Sequence, residues 1–588
     1  MHILFTDLDW QEKNATLGTV AVLTLYALCP KTSGKSGGLF VKKPFSDRPI
    51  FAPLTPLALI LAATAFTLTL SPSLIPRSGL LQGAVGGISF ALVYAICAGL
   101  IALWVWLDLP TAKNPRLHWI PFALAAIILT YGLASATGWQ NAVRKAVGME
   151  PVESARPLII AATGLVVAAL LLFFGRVFRR AAVLVANRLA VLLPPRVAIT
   201  LGTIFVAWLF WSIGNGVLVH SALRFMDASY AQVDALIPAD EGRPSDPRKS
   251  GSVASLASWQ SLGAAGRDRV NAAPDSATIG KITGTPAIEP LRVYVGLNSA
   301  KDPAARADLA LAELIRIGAF DRKLLVIATP TGTGWIDPAS VASLEFLWGG
   351  DVASVSVQYS YLPSWLSLLV EPEYGHETAR AVFSRIYDHW RQLPKHSRPR
   401  LYLHGLSLGS LNSDISLDFF NVLGDPPQGA FWVGPPFASR SWPQFTKDRD
   451  IGTPAWSPRF RDGSLVRFTT QTDTTADATA PWGPMRMIYL QYPSDAIAFF
   501  EPASFYRAPA WMANPRGPDV SPALRWVPVV TFVQLLTDMM TATTTNPGHG
   551  HVYAARDYLA GWLALTDPPL WDEARLERLR DWFAVRGL

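Results

Sequence analysis

Apolar positions follow two regimes along this chain. Before about residue 220 they come in long unbroken runs, and after about residue 291 in short runs separated by mixed stretches. Five long runs are Leu54 to Leu70, Val85 to Leu107, Trp119 to Ala136, Leu158 to Phe174 and Val197 to Val219. Each approaches the roughly 20 residues that a helix needs to cross about 30 Å of hydrocarbon. Trp104, Trp106, Trp119, Trp139, Trp208 and Trp211 lie within or at the ends of the runs, as in an interfacial belt. The pattern predicts an α-helical transmembrane domain over residues 51–220 with about five spans. Leu17 to Cys29 is too brief to span alone and reads as part of an N-terminal extension over residues 1–50. Ala181 to Leu193, interrupted by Asn187 and Arg188, reads as a helix lying in the interface.

The short runs predict strands at Leu291 to Val295, Lys323 to Thr329, Val352 to Val357, Arg400 to His404, Gly429 to Val433 and Met487 to Tyr492. Helical stretches at Ala304 to Ile317, Glu377 to Leu393 and Leu408 to Leu423 alternate with them. That alternation predicts an α/β domain with a mainly parallel sheet over residues 291–588. Residues 221–290, rich in Pro, Ser, Gly and charges from Glu241 to Ser276, read as a linker and surface-wrapping segment. Pro435 to Pro484, with its Trp and Pro residues, reads as an insertion that forms a lid.

Composition agrees with a membrane-associated chain: 50% of residues are hydrophobic and only 16% charged. Lys31, Lys35, Lys42, Lys43 and Arg48 precede the first span, Lys113 and Arg116 fill the second loop, and Arg176, Arg179, Arg180, Arg188 and Arg196 the fourth. The other side holds Arg77, Arg144, Lys145 and Arg156, so the basic side is cytoplasmic and the α/β domain lies outside the cytoplasm. A crossing at Ala181 to Leu193 would reverse this. The net charge of +7 belongs largely to these loops and implies no nucleic-acid partner. Both cysteines, Cys29 and Cys97, lie in the membrane-associated part, and no metal or cofactor motif is present.

The candidate chemistry follows the strands, because ligands of parallel sheets bind at the strands' carboxyl ends. Gly405-Leu406-Ser407-Leu408-Gly409 follows the Arg400 run and precedes a helical stretch, the setting of a nucleophile elbow. Gly34-Lys35-Ser36-Gly37-Gly38 fits the same spacing but has no strand before it. After the Lys323 run, Pro330-Thr331-Gly332-Thr333-Gly334-Trp335 offers backbone N–H groups of Thr331 and Gly332 that, with the N–H of Leu408, would form an oxyanion hole. Asp495 follows the Met487 run where a triad acid belongs, although an Asp after Pro-Ser is equally a helix cap. His549 and His551 sit in a Pro/Gly loop near the C-terminus. The flanking glycines favour His549 as the base over His551, and a metal reading of the pair lacks a third ligand. His404 reads as the floor of the pocket. Trp335, Trp365 and Trp442 read as loop aromatics suited to an apolar acyl chain.

Several of these segments together resemble a family of bacterial polytopic membrane proteins with a helical N-terminal membrane domain and a C-terminal α/β-hydrolase catalytic domain. The segments are Ser71 to Arg77, Gly251 to Trp259, Thr331 to Trp335, the Ser407 elbow, Ser494-Asp495 and Gly548 to His551. The resemblance implies the α/β-hydrolase fold, a Ser407, Asp495 and His549 or His551 triad, a place in the bacterial inner membrane, and no named substrate. The expected function is a membrane-anchored serine hydrolase of esterase or lipase type, acting through an acyl-enzyme on lipid or envelope esters beside the bilayer. An acyltransferase with the same triad, and a non-enzymatic transport or assembly protein with an inactive hydrolase fold, fit the same residues. Oligomeric state stays open.

Overall fold

The computed structural model describes residues 54–107, 109–110, 119–214, 234, 242–271, 274–364, 367, 372–569 and 571–588. The apolar run at 17–29, the second Gly-x-Ser-x-Gly at 34–38, Lys113, Arg116, the end of the fifth run and Trp365 lie outside the described residues.

The N-terminal half is helical: α1 (Pro56–Thr69), α2 (Gly79–Trp106), α3 (Ile120–Ala146), α4 (Pro157–Leu189) and α5 (Pro195–Trp211). Proline in the first turn of α1, α3, α4 and α5 sets their starting points without losing a hydrogen bond. Four helices among the described residues, α2 to α5, are long and apolar enough to cross a membrane. The 14 residues of α1 rise only about 21 Å, so the expected set of five becomes four long helices and one short one. α4 runs on to Leu189, through most of the segment expected to lie in the interface, since no Pro or Gly interrupts it there. Leu158, Leu165, Leu170 and Phe174 on α4 are exposed, which gives that helix an apolar outer face. α2 and α4 touch through small residues. A Cβ on Gly83 would fall 2.6 Å from the Ile160 carbonyl oxygen, and one on Gly87 2.7 Å from that of Gly164.

Seven strands form the C-terminal sheet: β1 (Leu291–Val295), β2 (Leu324–Thr329), β3 (Val352–Val357), β4 (Arg400–Leu406), β5 (Gly429–Val433), β6 (Val466–Thr469) and β7 (Arg486–Leu490). Their order is β1-β3-β2-β4-β5-β7-β6, and every neighbouring pair is parallel. A parallel sheet is covered on both faces, which is why its strands read as nearly continuous apolar runs. One face carries Leu325, Ile327, Leu401 and Leu403 against α6 (Pro303–Arg316) and α8 (Pro372–Gln392), in an apolar cluster that extends to Leu535 of α10 (Val530–Met540). The other carries Val326, Tyr402, Phe431 and Ile488 against α7 (Pro338–Leu347), α11 (Ala555–Thr566) and α12 (Glu573–Ala584).

Four expectations change. β6 lies inside the stretch read as a lid: Phe445, Phe460 and Phe468 pack on the sheet's edge, so much of the insertion extends the sheet. The helix expected over Leu408 to Leu423 stops at Ser416, and Asp418 caps a separate turn through the Phe420 N–H at 3.0 Å. Residues 242–290 are no loose linker, because Trp259, Leu262 and Val270 are buried with Tyr294, and Arg269 meets Glu345 at 3.3 Å. Trp442, expected in a loop, is buried and donates to Gln491 Oε1 at 2.6 Å.

Candidate active site

Ser407 stands between the end of β4 and α9 (Leu408–Ser416), with φ 57° and ψ −126°. A non-glycine residue in this region is strained, and the surroundings show what holds it there. A Cβ on Gly405 would lie 2.3 Å from the Gly409 carbonyl carbon, and one on Gly409 2.2 Å from the Thr329 carbonyl oxygen. Only glycine fits at either position. Strand, turn and the end of β2 therefore close on one another, and the Ser407 N–H is fixed on the Val433 carbonyl at 2.9 Å. The N–H of Leu408, first in its helix, has no partner within that helix.

Asp495 follows β7, caps a helix as the sequence allowed, and also faces a histidine. Its Oδ1 caps the Ala496–Phe499 helix, accepting from the Ile497 and Ala498 N–H groups at 2.9 and 3.4 Å. Its Oδ2 accepts from His551 Nδ1 and from the Tyr553 hydroxyl, each at 2.7 Å. With Nδ1 donating, His551 keeps Nε2 as an acceptor, and that atom is buried without a hydrogen-bond partner among the described residues. The His551 ring lies against Gly434: a Cβ there would come within 2.6 Å of its Cε1. Gly434 is the neighbour of Val433, whose carbonyl holds the Ser407 N–H. Both side chains thus gather at the carboxyl ends of β4 and β5.

His549, favoured from its glycine neighbours, points elsewhere. Its Nδ1 is 3.6 Å from Asp519 Oδ2, and a Cβ on Gly148, just beyond α3, would lie 3.0 Å from its Nε2. The glycines do shape this loop, with Gly548 at φ +93° and Gly550 at φ +57°, but they deliver His551 to Asp495.

The roles of four supporting residues were missed in the sequence. Tyr553 shares Asp495 Oδ2 with His551; burial, then the Asp495 charge, hold its phenol well above the ordinary value, so it remains a donor. Ser494 Oγ accepts the Gly550 N–H at 2.8 Å and donates to Asp519 Oδ2 at 2.5 Å. Asp519 also accepts from Gln471 Nε2 at 2.6 Å. The spacing His551-x-Tyr553 carried a signal, since alternate residues of an extended segment face one side. Asp519 and Gln471 are brought in by tertiary packing and carried none.

The loop after β2 differs from expectation. The Thr331 N–H closes a turn on the Trp335 carbonyl at 3.0 Å and is not free, whereas the Gly332 N–H makes a long contact of 3.3 Å with Ser364 Oγ. Trp335 lines a cavity of about 390 Å³ with Trp582 and Phe583, and neither Ser407 nor His551 lines it. His404 is not a pocket floor. It is buried between β4, β5 and α11, bonded through Nδ1 to the Phe431 carbonyl at 2.8 Å, and burial pulls its imidazole down to about 4.

Two sequence comparisons bear on this arrangement. A model described as the alpha/beta-hydrolase family matches residues 291–579, and one described as the N-terminus of an alpha/beta-hydrolase family matches residues 70–274. No curated protein and no solved structure matches the chain.

Proposed function

Because the chain belongs to this alpha/beta-hydrolase family, with an apolar helical region ahead of its α/β domain, we propose that it is a membrane-anchored serine ester hydrolase with Ser407 as nucleophile, His551 as base and Asp495 as the orienting acid. The observation that carries the reading is the 2.7 Å contact between His551 Nδ1 and Asp495, with an unpartnered Nε2 and a strained serine elbow at the same strand ends. Ser407 gives its hydroxyl proton to His551 Nε2 as its oxygen bonds to the ester carbonyl carbon. The oxyanion meets the Leu408 N–H and the loosely engaged Gly332 N–H; one such donor is worth about 3 kcal/mol in the transition state. Collapse breaks the bond to the alcohol, which takes the proton from His551. Water then repeats the sequence on the acyl-enzyme and releases the acid.

Location argues for the substrate class. The histidine loop abuts Gly148 and the loop after α1, so esters carried at the bilayer surface are the nearest candidates. The basic residues of the second and fourth loops support a catalytic domain on the outer side of a bacterial cell membrane. That α4 is one continuous helix supports the count of crossings on which this reading rests.

A fluorophosphonate probe tests the chemistry, and a charged, impermeant version of it tests the side. Wild-type protein in intact cells should be labelled by both and Ser407→Ala by neither. Equal labelling of the alanine variant, or none of purified wild type, rules out the enzyme; labelling by the impermeant form only after lysis rules out the outer location.

A further inference from the structure

The loop between α1 and α2 leaves the helical region and enters the α/β domain. Leu74 and Ile75 are fully buried in the same apolar cluster as Leu535 of α10. Beside them, Arg77 Nη2 meets Asp538 Oδ1 at 2.7 Å with both side chains wholly buried. The Asp538 carboxylate also accepts from Ser73 Oγ at 3.2 Å and the Leu74 N–H at 3.0 Å. The Arg77 guanidinium also donates through Nε to Asp538 Oδ1 at 3.0 Å, through Nη1 to Gln82 Oε1 at 3.2 Å and through Nη2 to the Gln534 carbonyl at 3.0 Å. A charge pair this deep is held by complete hydrogen bonding and tolerates little displacement. Burial still holds the Asp538 carboxyl above its ordinary value, with Arg77 the main opposing influence, so the group depends on that partner.

Asp538 lies near the end of α10, and the chain from there leads directly into the histidine loop. The His551 N–H returns to the Ala542 carbonyl at 2.8 Å, so the loop is tied to the turn that follows α10. Gly550 sits over Ile75: a Cβ at 550 would lie 3.2 Å from Ile75 Cδ1. At its other end the loop is held by Asn546 Nδ2, which donates to the Gly148 carbonyl at 2.9 Å. The residue before the proposed base therefore rests on a side chain supplied by the helical half.

We propose that the Ser73–Arg77 loop is a positioning element of the active site, with Ile75 supporting Gly550 and the Arg77–Asp538 pair fixing α10, so that the membrane half completes the placement of His551. The proposal rests on His551 being the base. Ile75 is a positioning residue, touching no reacting atom.

The test uses the full chain in detergent. Arg77→Ala leaves a buried charge unpaired and risks global unfolding, so Ile75→Ala carries the experiment, with Ile75→Val as conservative rescue and Leu165→Ala on the exposed face of α4 as control. Two readouts are taken: amide hydrogen exchange at Gly550 and His551, and turnover of p-nitrophenyl acetate. For Ile75→Ala, exchange at these two amides should rise about tenfold, and kcat should fall at least about tenfold with KM changed less than about twofold, because small misplacement of a catalytic group acts on the chemical step. Ile75→Val should recover most of both, and Leu165→Ala should match wild type. Unchanged exchange at Gly550 and His551 in Ile75→Ala overturns the proposal whatever the turnover. So does raised exchange with wild-type kcat. A wild type that neither turns over the ester nor reacts with fluorophosphonate strikes instead at the hydrolase reading, and the exchange data then still decide whether Ile75 holds the loop.

Discussion

Two histidines separated by one residue have different surroundings, and the difference lies in what each ring nitrogen meets. His551 Nδ1 meets Asp495 at 2.7 Å; His549 Nδ1 stands 3.6 Å from Asp519 and its ring abuts Gly148. His551→Ala should lower kcat for a soluble ester by about ten-thousand-fold, whereas His549→Ala should lower it by less than about tenfold, as steady-state kinetics on purified protein would measure. Tyr553→Phe removes one of the two hydroxyl or imidazole donors on Asp495 Oδ2 and should cost about 1 to 2 kcal/mol of transition-state stabilisation, roughly tenfold in kcat. Equal losses at both histidines would contradict the assignment. The tight turn at Ser407 and the position of Asp495 just after a strand were legible in the sequence, because a turn between glycines and a residue after an apolar run leave local marks. Which histidine faces Asp495 was not, because glycine neighbours report a loop's freedom and not its destination.

The elements carry their own lesson. Six strands were visible as apolar runs, since both faces of a parallel sheet are buried. β6 was not, because its four residues sit among Trp, Pro and polar residues and its pairing with β7 comes from outside the segment. At the junction of β4, α9 and β2 the backbones touch. Gly409→Ala should therefore destabilise the domain by more than about 3 kcal/mol or prevent folding, read from the denaturant midpoint. Where β4 meets α11, His404 is buried neutral. The unfolded chain takes up its proton near pH 6.5 and the folded one only near 4, so its contribution to stability is complete above about pH 6.5 and is lost as pH falls toward 4. That loss is on the order of 3 kcal/mol. Asp337, raised to about 6 by burial, contributes the opposite slope below pH 6, so the informative quantity is the difference between wild type and His404→Phe. The variant should lose less stability than wild type between pH 6.5 and 4 in urea titrations.

For the molecule as a whole, the loop between α1 and α2 inserts Leu74 and Ile75 into the core of the α/β domain. A fragment beginning at residue 242 would expose the seat of Leu74 and Ile75 and leave Asp538 buried without Arg77. The unpaired charge costs about 3 to 5 kcal/mol and each lost apolar side chain about 2 to 5, against a total stability of about 5 to 15 for a domain. The fragment should therefore fail to give a cooperative thermal transition by near-ultraviolet circular dichroism, and a cooperative transition would show that the domain folds alone. Hydropathy revealed the long apolar helices, but not this joint, because an Arg in a short loop reads as a surface charge until its partner is known. That partner lies 461 residues further along the chain. At about 5 to 20 residues per second, Arg77 waits roughly 20 to 90 seconds after its own synthesis before Asp538 exists. The His551 loop can then be seated only after the helices flanking Arg77 and Ile75 have been made and Asp538 has joined them, so the helical region precedes in time the site that it helps to place.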